Sequence, residues 1–380
     1  MRDEEHARHR NDGMVAALVG QGAAVEHSPV ERAFRTVLRH WFLPGATLHE
    51  VYSDAAVVTH RGPDGVPVSS SSQPAVMAGM LQQLKVEPGQ RILEIGTGTG
   101  YNAALLGHLV GPEGSVTTVD LDPAICIAAE RHLDVAGVEN VSVVTGDGWT
   151  AVQGLGTFDR IEATVGISDL SSVWVEHLAV DGIFVAPLWL RAGLQVSVAF
   201  RKADGGLQGV SADPCGFMRL RGLGAGDPTH HPVGAWTVSL DQPDAGRVAL
   251  VERLVDTEPQ VEPPPPLAPG WFTPIALRHP DAIHLFSSHP EGPVVCWGIL
   301  EVSPPGLAVI VSRPGGATTL ETFGAEESRQ RLLTLIHGGD PIRVEDLSIS
   351  AVPAGRPEDD RNALATLARP NFTFVIRVRS

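Results

Sequence analysis

A glycine-rich turn between a short apolar segment and a helical segment is the strongest chemical signal in this sequence. It reads Leu93-Glu-Ile-Gly96-Thr97-Gly98-Thr-Gly100. Glycines let the backbone approach a ligand closely, and the amino end of the helix that follows offers N–H groups without intrahelical partners. The spacing Gly98-x-Gly100-x-x-Ala103 also satisfies the dinucleotide fingerprint. The turn therefore predicts a nucleoside site and leaves a nicotinamide cofactor and other nucleosides open.

Acidic residues near the ends of three predicted strands narrow the choice of nucleoside. Glu94 lies two residues before Gly96, where a carboxylate repels a pyrophosphate but suits the sulfonium and ammonium groups of S-adenosylmethionine. Asp120 closes the next strand, placed for ribose hydroxyls, and Asp147-Gly148 follows the third, placed for an adenine edge. The set in this order predicts S-adenosylmethionine as the cofactor. A nicotinamide oxidoreductase is the alternative from a different class, and tight NADH binding without adenosylmethionine binding favours it.

Strands and helices alternate through the middle of the chain and position these residues. Strand-like runs occupy 91–95, 115–120, 141–145, 160–165 and 182–188, and helical patterns occupy 76–84, 102–110, 123–136 and 173–178. Strands separated by helices imply right-handed βαβ units and a parallel sheet covered on both faces. The fold class is therefore α/β, a Rossmann-like class I methyltransferase sheet. Thr164, at the end of the fourth strand, is either a ligand contact at the carboxyl edge of the sheet or a buried strand residue.

The chain divides by pattern into three predicted regions. They are a helical N-terminal and substrate-loop segment at 1–75, a cofactor-binding domain at 76–222, and an accessory α+β domain at 223–380. In the first region, Ser28-Pro-Val-Glu31 is typical of a helix start, with Ser at the N-cap and Glu three residues on, and Pro44-Gly45 is expected to end that helix. In the third region, the proline- and acid-rich stretch at 256–269 is typical of an extended linker or edge segment.

Several segments share the order and composition of one methyltransferase family. They are the turn at 91–100 with Tyr101-Asn102-Ala-Ala-Leu-Leu, Asp147-Gly148, the leading helix at 33–44, Tyr52-Ser-Asp54-Ala55, Phe184-Val-Ala-Pro187 with Gln195, and 217–222. On these segments the chain resembles the protein-L-isoaspartate O-methyltransferases over roughly residues 14–222. Two departures stand out. Ser69-Ser70-Ser71-Ser72-Gln73-Pro74 falls where the family carries Gln-Thr-Ile-Ser-Gln-Pro, and Asp120 stands where Glu is common.

The resemblance implies roles for individual residues. Ser72 is the implied catalytic residue, whose hydroxyl would hydrogen-bond and orient the acceptor carboxylate. The implied substrate contacts are Ser71 and Gln73. The implied contacts with the methionine part of the cofactor are Glu94, Gly96, Thr97, Gly98 and Gly100. Asp120 would contact the ribose, Asp147 and Gly148 the adenine, and Ser70 and Thr164 also the cofactor. A carboxylate acceptor is already ionised at neutral pH, so no strong general base is required. Without the resemblance, the serine run is typical of a polar loop before an N-cap.

The region after residue 222 has no counterpart in the compact repair enzymes of that family. An extension of this size resembles the branch found with ribosomally made, modified peptides such as lanthipeptides and graspetides. This resemblance implies an enzyme that methylates an aspartate in a modified, cyclised precursor peptide, after which the ester collapses to aspartimide. The alternative is an enzyme of the same chemistry that repairs isoaspartate in damaged proteins. A non-catalytic peptide-binding protein with a relic cofactor fold is a third hypothesis.

Composition excludes several other classes. The 380 residues are 43% hydrophobic and 19% charged, which is typical of a globular protein. The net charge of −16 repels phosphate backbones, so nucleic acid is not an expected partner. No apolar run approaches the ~20 residues of a membrane helix, and the charged N-terminus leads into no signal-type segment. Cys126, Cys215 and Cys296 are far apart and the histidines are scattered, so neither a disulfide framework nor a metal site is expected. We expect a soluble, cytoplasmic protein.

Overall fold

The computed structural model describes residues 2–63, 65–203, 205–226, 230–241, 244–289, 292–356 and 360–379. The helices are α1 (Arg2–Gly20), α2 (Pro29–Thr36), α3 (Leu48–Val51), α4 (Pro74–Leu84), α5 (Tyr101–Val110), α6 (Pro123–Ala136), α7 (Ser172–His177), α8 (Ala245–Val255), α9 (Thr273–Arg278) and α10 (Glu326–Gly338). Short 3₁₀ turns lie at Arg39–Phe42, Gly222–Gly224 and Val344–Asp346.

The strands fall into a hairpin and two larger sheets. The hairpin is β1 (Val57–Arg61) and β2 (Pro67–Ser71). The central sheet contains β3 (Arg91–Ile95), β4 (Ser115–Asp120), β5 (Val141–Thr145), β6 (Phe158–Ala163), β7 (Leu178–Trp189), β8 (Gln195–Ala203) and β9 (Gly206–Pro214), and later β17 (Leu347–Pro353), β18 (Ala365–Ala368) and β19 (Phe372–Val378). The second sheet contains β10 (His230–Val233), β11 (Trp236–Leu240), β12 (Gln260–Glu262), β13 (Ala282–His289), β14 (Gly292–Val302), β15 (Pro305–Ser312) and β16 (Thr319–Gly324).

The central sheet confirms the predicted α/β fold. Its strand order is β18-β19-β17-β9-β8-β7-β6-β3-β4-β5, and the pairs from β7 to β5 are parallel. The chain moves from β3 outward to β4 and β5 and then returns to place β6 on the other side of β3. The strand order therefore reverses beside β3, and the crevice at the carboxyl ends of β3 and β6 is where such sheets bind ligands.

Side chains on β3 alternate between two buried faces, as expected for a strand inside a covered parallel sheet. Ile92 belongs to a core cluster with residues of α1, α2, α4 and α5. Leu93 and Ile95 belong to a second cluster, on the face covered by α7, whose Trp174 is fully buried. Glu94 lies on the same face of the strand as Ile92, so β3 carries a carboxylate into a buried layer.

The predicted helix start at Ser28 is confirmed, but the helix is shorter than expected. The Ser28 hydroxyl accepts a hydrogen bond from the Glu31 N–H, and Pro29 opens α2. The helix ends at Thr36 rather than at Pro44, because the chain turns into a separate 3₁₀ segment that contains Arg39. The guanidinium of Arg39 is completely buried, and this break places it beneath the serine segment at 69–72.

The chain after residue 222 belongs to both large sheets, which differs from the predicted separate domain at 223–380. The second sheet is antiparallel; Leu300 faces α8 in one core cluster, and Ile299 faces α10 in another. Strands β17 to β19 instead extend the central sheet, where Ala351 pairs with Leu207 of β9. The physical reason is that β9 would otherwise be an open edge, and the apolar face of β17 and β19 completes the central core. The stretch at 256–269 includes β12, which lies at the edge of the second sheet beside β16.

Within the described residues, no helix combines the length and the apolar character that crossing a bilayer requires.

Candidate active site

A cavity of about 380 Å³ opens at the carboxyl ends of β3 and β6. Its walls are the serine segment at 69–73, the glycine turn at 96–99, the end of β4 at 119–121, and the segment at 216–221 that follows β9. The cavity therefore lies where the strand order reverses, which is the position that the topology favours for a ligand.

The glycine turn requires glycine for steric and conformational reasons. Gly96, Gly98 and Gly100 have φ angles of +105°, +52° and +84°, a region that other residues rarely adopt. A Cβ on Gly96 would lie 2.7 Å from the Thr164 hydroxyl oxygen, and one on Gly98 would lie 3.3 Å from the Ser70 carbonyl oxygen. Gly100 contacts Ala129 of α6 instead and does not border the cavity. The turn is a backbone surface pressed against its neighbours, with an open side toward the cavity.

Two buried acids lie below the turn. The Glu94 carboxylate accepts hydrogen bonds from Thr118 Oγ1 at 2.5 Å and Asn102 Nδ2 at 2.8 Å. The same Asn102 amide donates to Glu162 Oε2 at 2.7 Å, and Glu162 stands opposite Glu94 in the parallel register of β3 and β6. Burial is the main cause that raises the pKa of Glu94 to about 8 and that of Glu162 to about 7. The floor of the site thus holds an acid pair bridged by one amide.

The end of β4 presents Asp120 at the cavity. Its Oδ2 accepts from the Gly98 N–H at 3.2 Å, and its Oδ1 lies 3.9 Å from an Arg221 guanidinium nitrogen. Asp147, by contrast, does not border the cavity, although Gly148 does. The Asp147 carboxylate accepts from the N–H groups of Trp149 and Leu223, and it thereby anchors the segment that covers this side of the site.

The serine segment faces the glycine turn across the cavity, and its side chains differ in their partners. The Ser71 hydroxyl accepts from Arg39 Nε at 3.3 Å, and the Gln73 amide donates to Asp54 at 3.0 Å. Ser69 accepts from Thr59. Among the residues that the structure describes, the Ser72 hydroxyl has no such partner and borders the cavity. The Ser70 hydroxyl also borders the cavity and has no side-chain hydrogen bond within the described residues, so Ser70 and Ser72 carry the hydroxyls of this segment that are open to a ligand.

Arg39 holds the serine segment from below. Its guanidinium donates to the carbonyl oxygens of Ser71 and Ser72 and, on the other side, to those of Val51, Ser53 and Ala55. These acceptors and the Ser71 hydroxyl are neutral oxygen atoms, and within the described ranges no carboxylate forms an ion pair with this buried guanidinium. Burial lowers the pKa of Arg39, but an arginine stays protonated in proteins.

The structure brings most of the predicted site residues together. Those that border the cavity are Ser70, Ser71, Ser72, Gln73, Gly96, Thr97, Gly98, Asp120, Gly148 and Thr164. Glu94, Gly100 and Asp147 do not border it, and their predicted contacts with a ligand remain predictions. The Thr164 hydroxyl, for which a ligand contact and a buried role were both open, donates to the Gly96 carbonyl oxygen at 2.6 Å.

Sequence reasoning missed three residues of the site: Arg39, Asn102 and Glu162. Glu162 carried a visible signal, because an acid inside the apolar run at 160–165 is out of place unless it has a partner or a function. Asn102 is the second residue of a mostly apolar helix. Arg39 showed no such signal, since arginine at the end of an amphipathic helix is ordinary.

A second cavity of about 500 Å³ adjoins the first. It lies between the loop at 42–46, strand β1 and helix α6, and it shares Val58, Ser69, Gly98 and Thr99 with the first cavity. The two spaces together form a continuous recess from the glycine turn to the exposed hairpin. The Arg39-held segment forms one wall of this recess.

The residues present fit an adenosyl cofactor with an amino-acid part. Gly96 and Gly98 border the cavity without side chains, Asp120 stands at the end of β4, and Glu162 Oε1 is buried with no partner in the described part of the chain. S-adenosylmethionine matches this donor set because it carries hydroxyl groups and a cationic amino group. Within the described ranges, no group of three or more His, Cys, Asp and Glu side chains is arranged to hold a metal ion.

Comparisons with known proteins agree with this geometry. A sequence profile of the family described as Protein-L-isoaspartate(D-aspartate) O-methyltransferase (PCMT) matches residues 9–222. The protein-L-isoaspartate O-methyltransferase of Thermotoga maritima is 36% identical over 177 residues, which are 46% of this chain and 55% of that protein. The one of Hyperthermus butylicus is 30% identical over 229 residues, 58% of this chain and 92% of that protein.

A solved structure with the same name extends the likeness in fold to the region after residue 222. It is 24% identical, has a TM-score of 0.53, and covers 90% of this chain and 96% of its own. Because so much of this chain is covered, most of that region has a counterpart there, so the extension does not by itself mark a peptide-maturation branch. The profile match over more than half of the chain, at the segments that build the cavity, shows that the chain belongs to the protein-L-isoaspartate(D-aspartate) O-methyltransferase family, S-adenosylmethionine-dependent methyltransferases of class I fold.

Proposed function

We propose that this protein methylates the carboxylate of L-isoaspartyl residues in damaged proteins and peptides. The observation that carries the proposal is the Ser72 hydroxyl, which borders the cavity opposite the glycine turn on a segment held by a buried cation. The names of the relatives from Thermotoga maritima and Hyperthermus butylicus support this acceptor.

Positioning is the main task of the residues in this mechanism. S-adenosylmethionine, when bound, supplies an electrophilic methyl group. Ser72 donates a hydrogen bond to one oxygen of the acceptor carboxylate and leaves the other oxygen directed at the methyl group. The acceptor needs no base, because an isoaspartyl carboxylate is ionised at neutral pH. Orientation of reacting atoms can supply about 7–11 kcal/mol of a barrier, which suits a site built from fixed segments.

The charges around the cavity are arranged to suit the two reactants. Arg39 is buried behind the serine segment, and its charge favours a carboxylate on that side. The acid pair of Glu94 and Glu162 lies below the glycine turn and favours a cation on the opposite side. The second cavity supports a polypeptide acceptor, since it gives the residues flanking an isoaspartate a continuous recess.

Methylation of an aspartate in a modified precursor peptide is less well supported. It depended on the extension after residue 222, and a similar extension occurs in a solved structure named protein-L-isoaspartate O-methyltransferase. The relatives from Thermotoga maritima and Hyperthermus butylicus, both named protein-L-isoaspartate O-methyltransferase, favour the repair alternative over peptide maturation. The two hypotheses differ in their acceptor, so one assay can separate them.

The test is a mass-spectrometric methyl-transfer assay with S-adenosylmethionine and three peptides. One is a linear isoaspartyl peptide, the second is its normal aspartyl twin, and the third holds the aspartate in a constrained cyclic peptide. Our proposal predicts a gain of one methyl group on the isoaspartyl peptide only. Methylation of the cyclic peptide followed by loss of methanol to aspartimide would favour peptide maturation. No transfer to any peptide, with S-adenosylhomocysteine still bound, would contradict the proposed function.

A further inference from the structure

A buried carboxylate oxygen at the floor of the cavity has no protein partner within the described ranges. Glu162 borders the cavity, and its side chain is almost entirely buried. Its Oε2 accepts from Asn102, whereas its Oε1 makes no hydrogen bond. A buried acceptor that is left unpaired is costly, and most such atoms in proteins have a partner. This oxygen therefore points to a ligand.

Glu94, to which sequence reasoning gave the contact with the cofactor's cationic end, is not available for it. Both of its oxygens already accept hydrogen bonds, one from Thr118 and the other from Asn102. It is fully buried and lies behind the cavity wall. Glu94 instead fixes Asn102, and the second hydrogen bond of the same amide fixes Glu162.

The chemistry of the missing partner follows from the surroundings of Glu162. In the part of the chain that the structure describes, its carboxyl accepts a hydrogen bond from the neutral Asn102 amide, stands beside a second acid, Glu94, in the sheet register, and has no salt bridge. A carboxylate oxygen in this setting is matched most strongly by a group that both donates a hydrogen bond and carries positive charge. A sulfonium has no hydrogen to donate, whereas an ammonium has three.

We propose that Glu162 is the counter-charge that binds the α-ammonium group of S-adenosylmethionine. The Asn102 amide holds the carboxylate so that its second oxygen faces this group. This role concerns the methyl donor, so it holds whichever carboxylate is the acceptor and does not depend on the proposed isoaspartyl substrate.

The test is calorimetric binding of two probes at pH 8. The probes are S-adenosylhomocysteine and its deaminated analogue, in which hydrogen replaces the ammonium group. The wild type should bind the first about 10- to 100-fold more tightly than the second, the range expected for one charge-assisted hydrogen bond. Glu162→Gln should lose most of that difference and bind the deaminated analogue as the wild type does. Glu321→Gln is the matched control, since Glu321 is also buried but lies in the second sheet.

Three results would overturn the inference. Equal affinity of the wild type for both probes would show that the ammonium gains nothing from the site. Equal weakening of both probes by Glu162→Gln would show that the residue only supports the fold. If Glu162→Gln does not fold, Glu162→Asp serves as the test variant. Its side chain keeps the negative charge but is one methylene shorter, so the carboxylate lies farther from the ammonium group. That variant should weaken S-adenosylhomocysteine and leave the analogue unchanged, and the opposite pattern rejects the role.

Discussion

Single residues of the serine segment acquire different roles from their contacts. Ser69 and Ser71 have hydrogen-bond partners in Thr59 and Arg39, which fix the segment. Ser72 follows directly, and its carbonyl oxygen is held by Arg39 at 2.8 Å while its hydroxyl stays at the cavity. The backbone of Ser72 is therefore fixed and its side chain is left for the acceptor, which is what orienting a carboxylate requires.

Removal of the Ser72 hydroxyl should affect the acceptor and spare the cofactor. We expect Ser72→Ala to lower kcat/KM for an isoaspartyl peptide by about 10- to 100-fold, the value of one hydrogen bond to a charged group. The affinity for S-adenosylhomocysteine, measured by calorimetry, should not change. Ser53→Ala is the control, because the Ser53 hydroxyl donates to the Glu50 carbonyl outside the cavity. An unchanged kcat/KM for Ser72→Ala would remove this residue from the mechanism.

Replacement of Arg39 by lysine should loosen the serine segment. Lysine keeps the charge but has three donors at one point, and it cannot reach carbonyl oxygens in two segments at once. Unsatisfied buried acceptors cost about 1–3 kcal/mol each, so Arg39→Lys should lower the free energy of unfolding by roughly 3 kcal/mol. Amide hydrogen exchange at 69–75 should accelerate more than elsewhere. Arg32→Lys, at an exposed arginine of α2, is the control and should change neither quantity.

The acid pair should make stability depend on pH. Burial raises the pKa of Glu162 to about 7 from its ordinary value of 4.5, so the folded protein binds this proton more tightly than the unfolded chain. The contribution of this proton to the free energy of unfolding is complete below pH 4.5 and is lost as the pH rises through 7. The free energy of unfolding of the ligand-free wild type, relative to Glu162→Gln, should therefore fall between pH 5 and pH 8, by at most about 1.4 kcal/mol per pH unit. Urea denaturation across this range measures the difference, and a rise would contradict the expected sign.

At the scale of elements, the site is built from three adjacent parallel strands and one helix. Thr118 on β4, Glu94 on β3 and Glu162 on β6 lie at the same level of the sheet, because parallel register places them side by side. Helix α5 covers this row, and its second residue, Asn102, joins the two acids. The glycine turn connects β3 to α5, so its shape decides whether the helix can approach the row.

Substitution of Gly96 should disturb this connection. Its φ of +105° disfavours any side chain, and a Cβ would collide with the Thr164 hydroxyl. We expect Gly96→Ala to weaken S-adenosylhomocysteine binding more than 10-fold, which corresponds to more than about 1.4 kcal/mol. Gly89→Ala is the matched control, since Gly89 has a φ of +82° but open space around it. The control should lose about 1 kcal/mol of stability and no affinity. Equal affinities of the two variants would reject the steric argument.

At the scale of the whole molecule, the C-terminal strands complete the central sheet. Leu347, Ile349, Phe372, Phe374 and Ile376 lie in the same core cluster as Trp174 and Phe200. The second sheet is inserted between β9 and β17, and Trp189 at the end of β7 contacts His230 of that sheet with ring centroids 4.6 Å apart. The region after residue 222 is therefore part of the structure that supports the site.

A chain that ends at residue 346 should not fold stably. Each of these five apolar side chains contributes about 1.5–3 kcal/mol by burial, and together they are worth on the order of 10 kcal/mol, which is comparable with the whole stability of a domain. The truncated chain should lose its cooperative thermal transition, bind a hydrophobic dye and aggregate through the open edge of β9. A sharp transition at the wild-type temperature would show that the core does not need these strands.

The sequence by itself determined the fold class, the glycine turn, the acid at the end of β4 and the serine segment. These features depend on periodicity and turn chemistry within a few neighbouring residues, and the structure places each close to its predicted position. The extent of the central sheet was not predictable in this way, because β17 pairs with a strand about 140 residues earlier, and nothing local marks that pairing.

Only the tertiary structure decided which side chains of each candidate group are already engaged in hydrogen bonds within the protein and which are left open. The resemblance to the family already pointed to Ser72 rather than Ser71. The structure adds that the Ser71 hydroxyl accepts from Arg39, 32 residues earlier in the chain, whereas the Ser72 hydroxyl has no such bond within the described residues. Glu94 and Glu162 are both buried acids, and the choice between them depends on Asn102, which lies 60 residues before Glu162. A hydrogen bond between residues far apart in the sequence occupies one candidate side chain and leaves its neighbour free to contact a ligand. Two neighbouring candidates therefore differ in this respect only once the chain has folded.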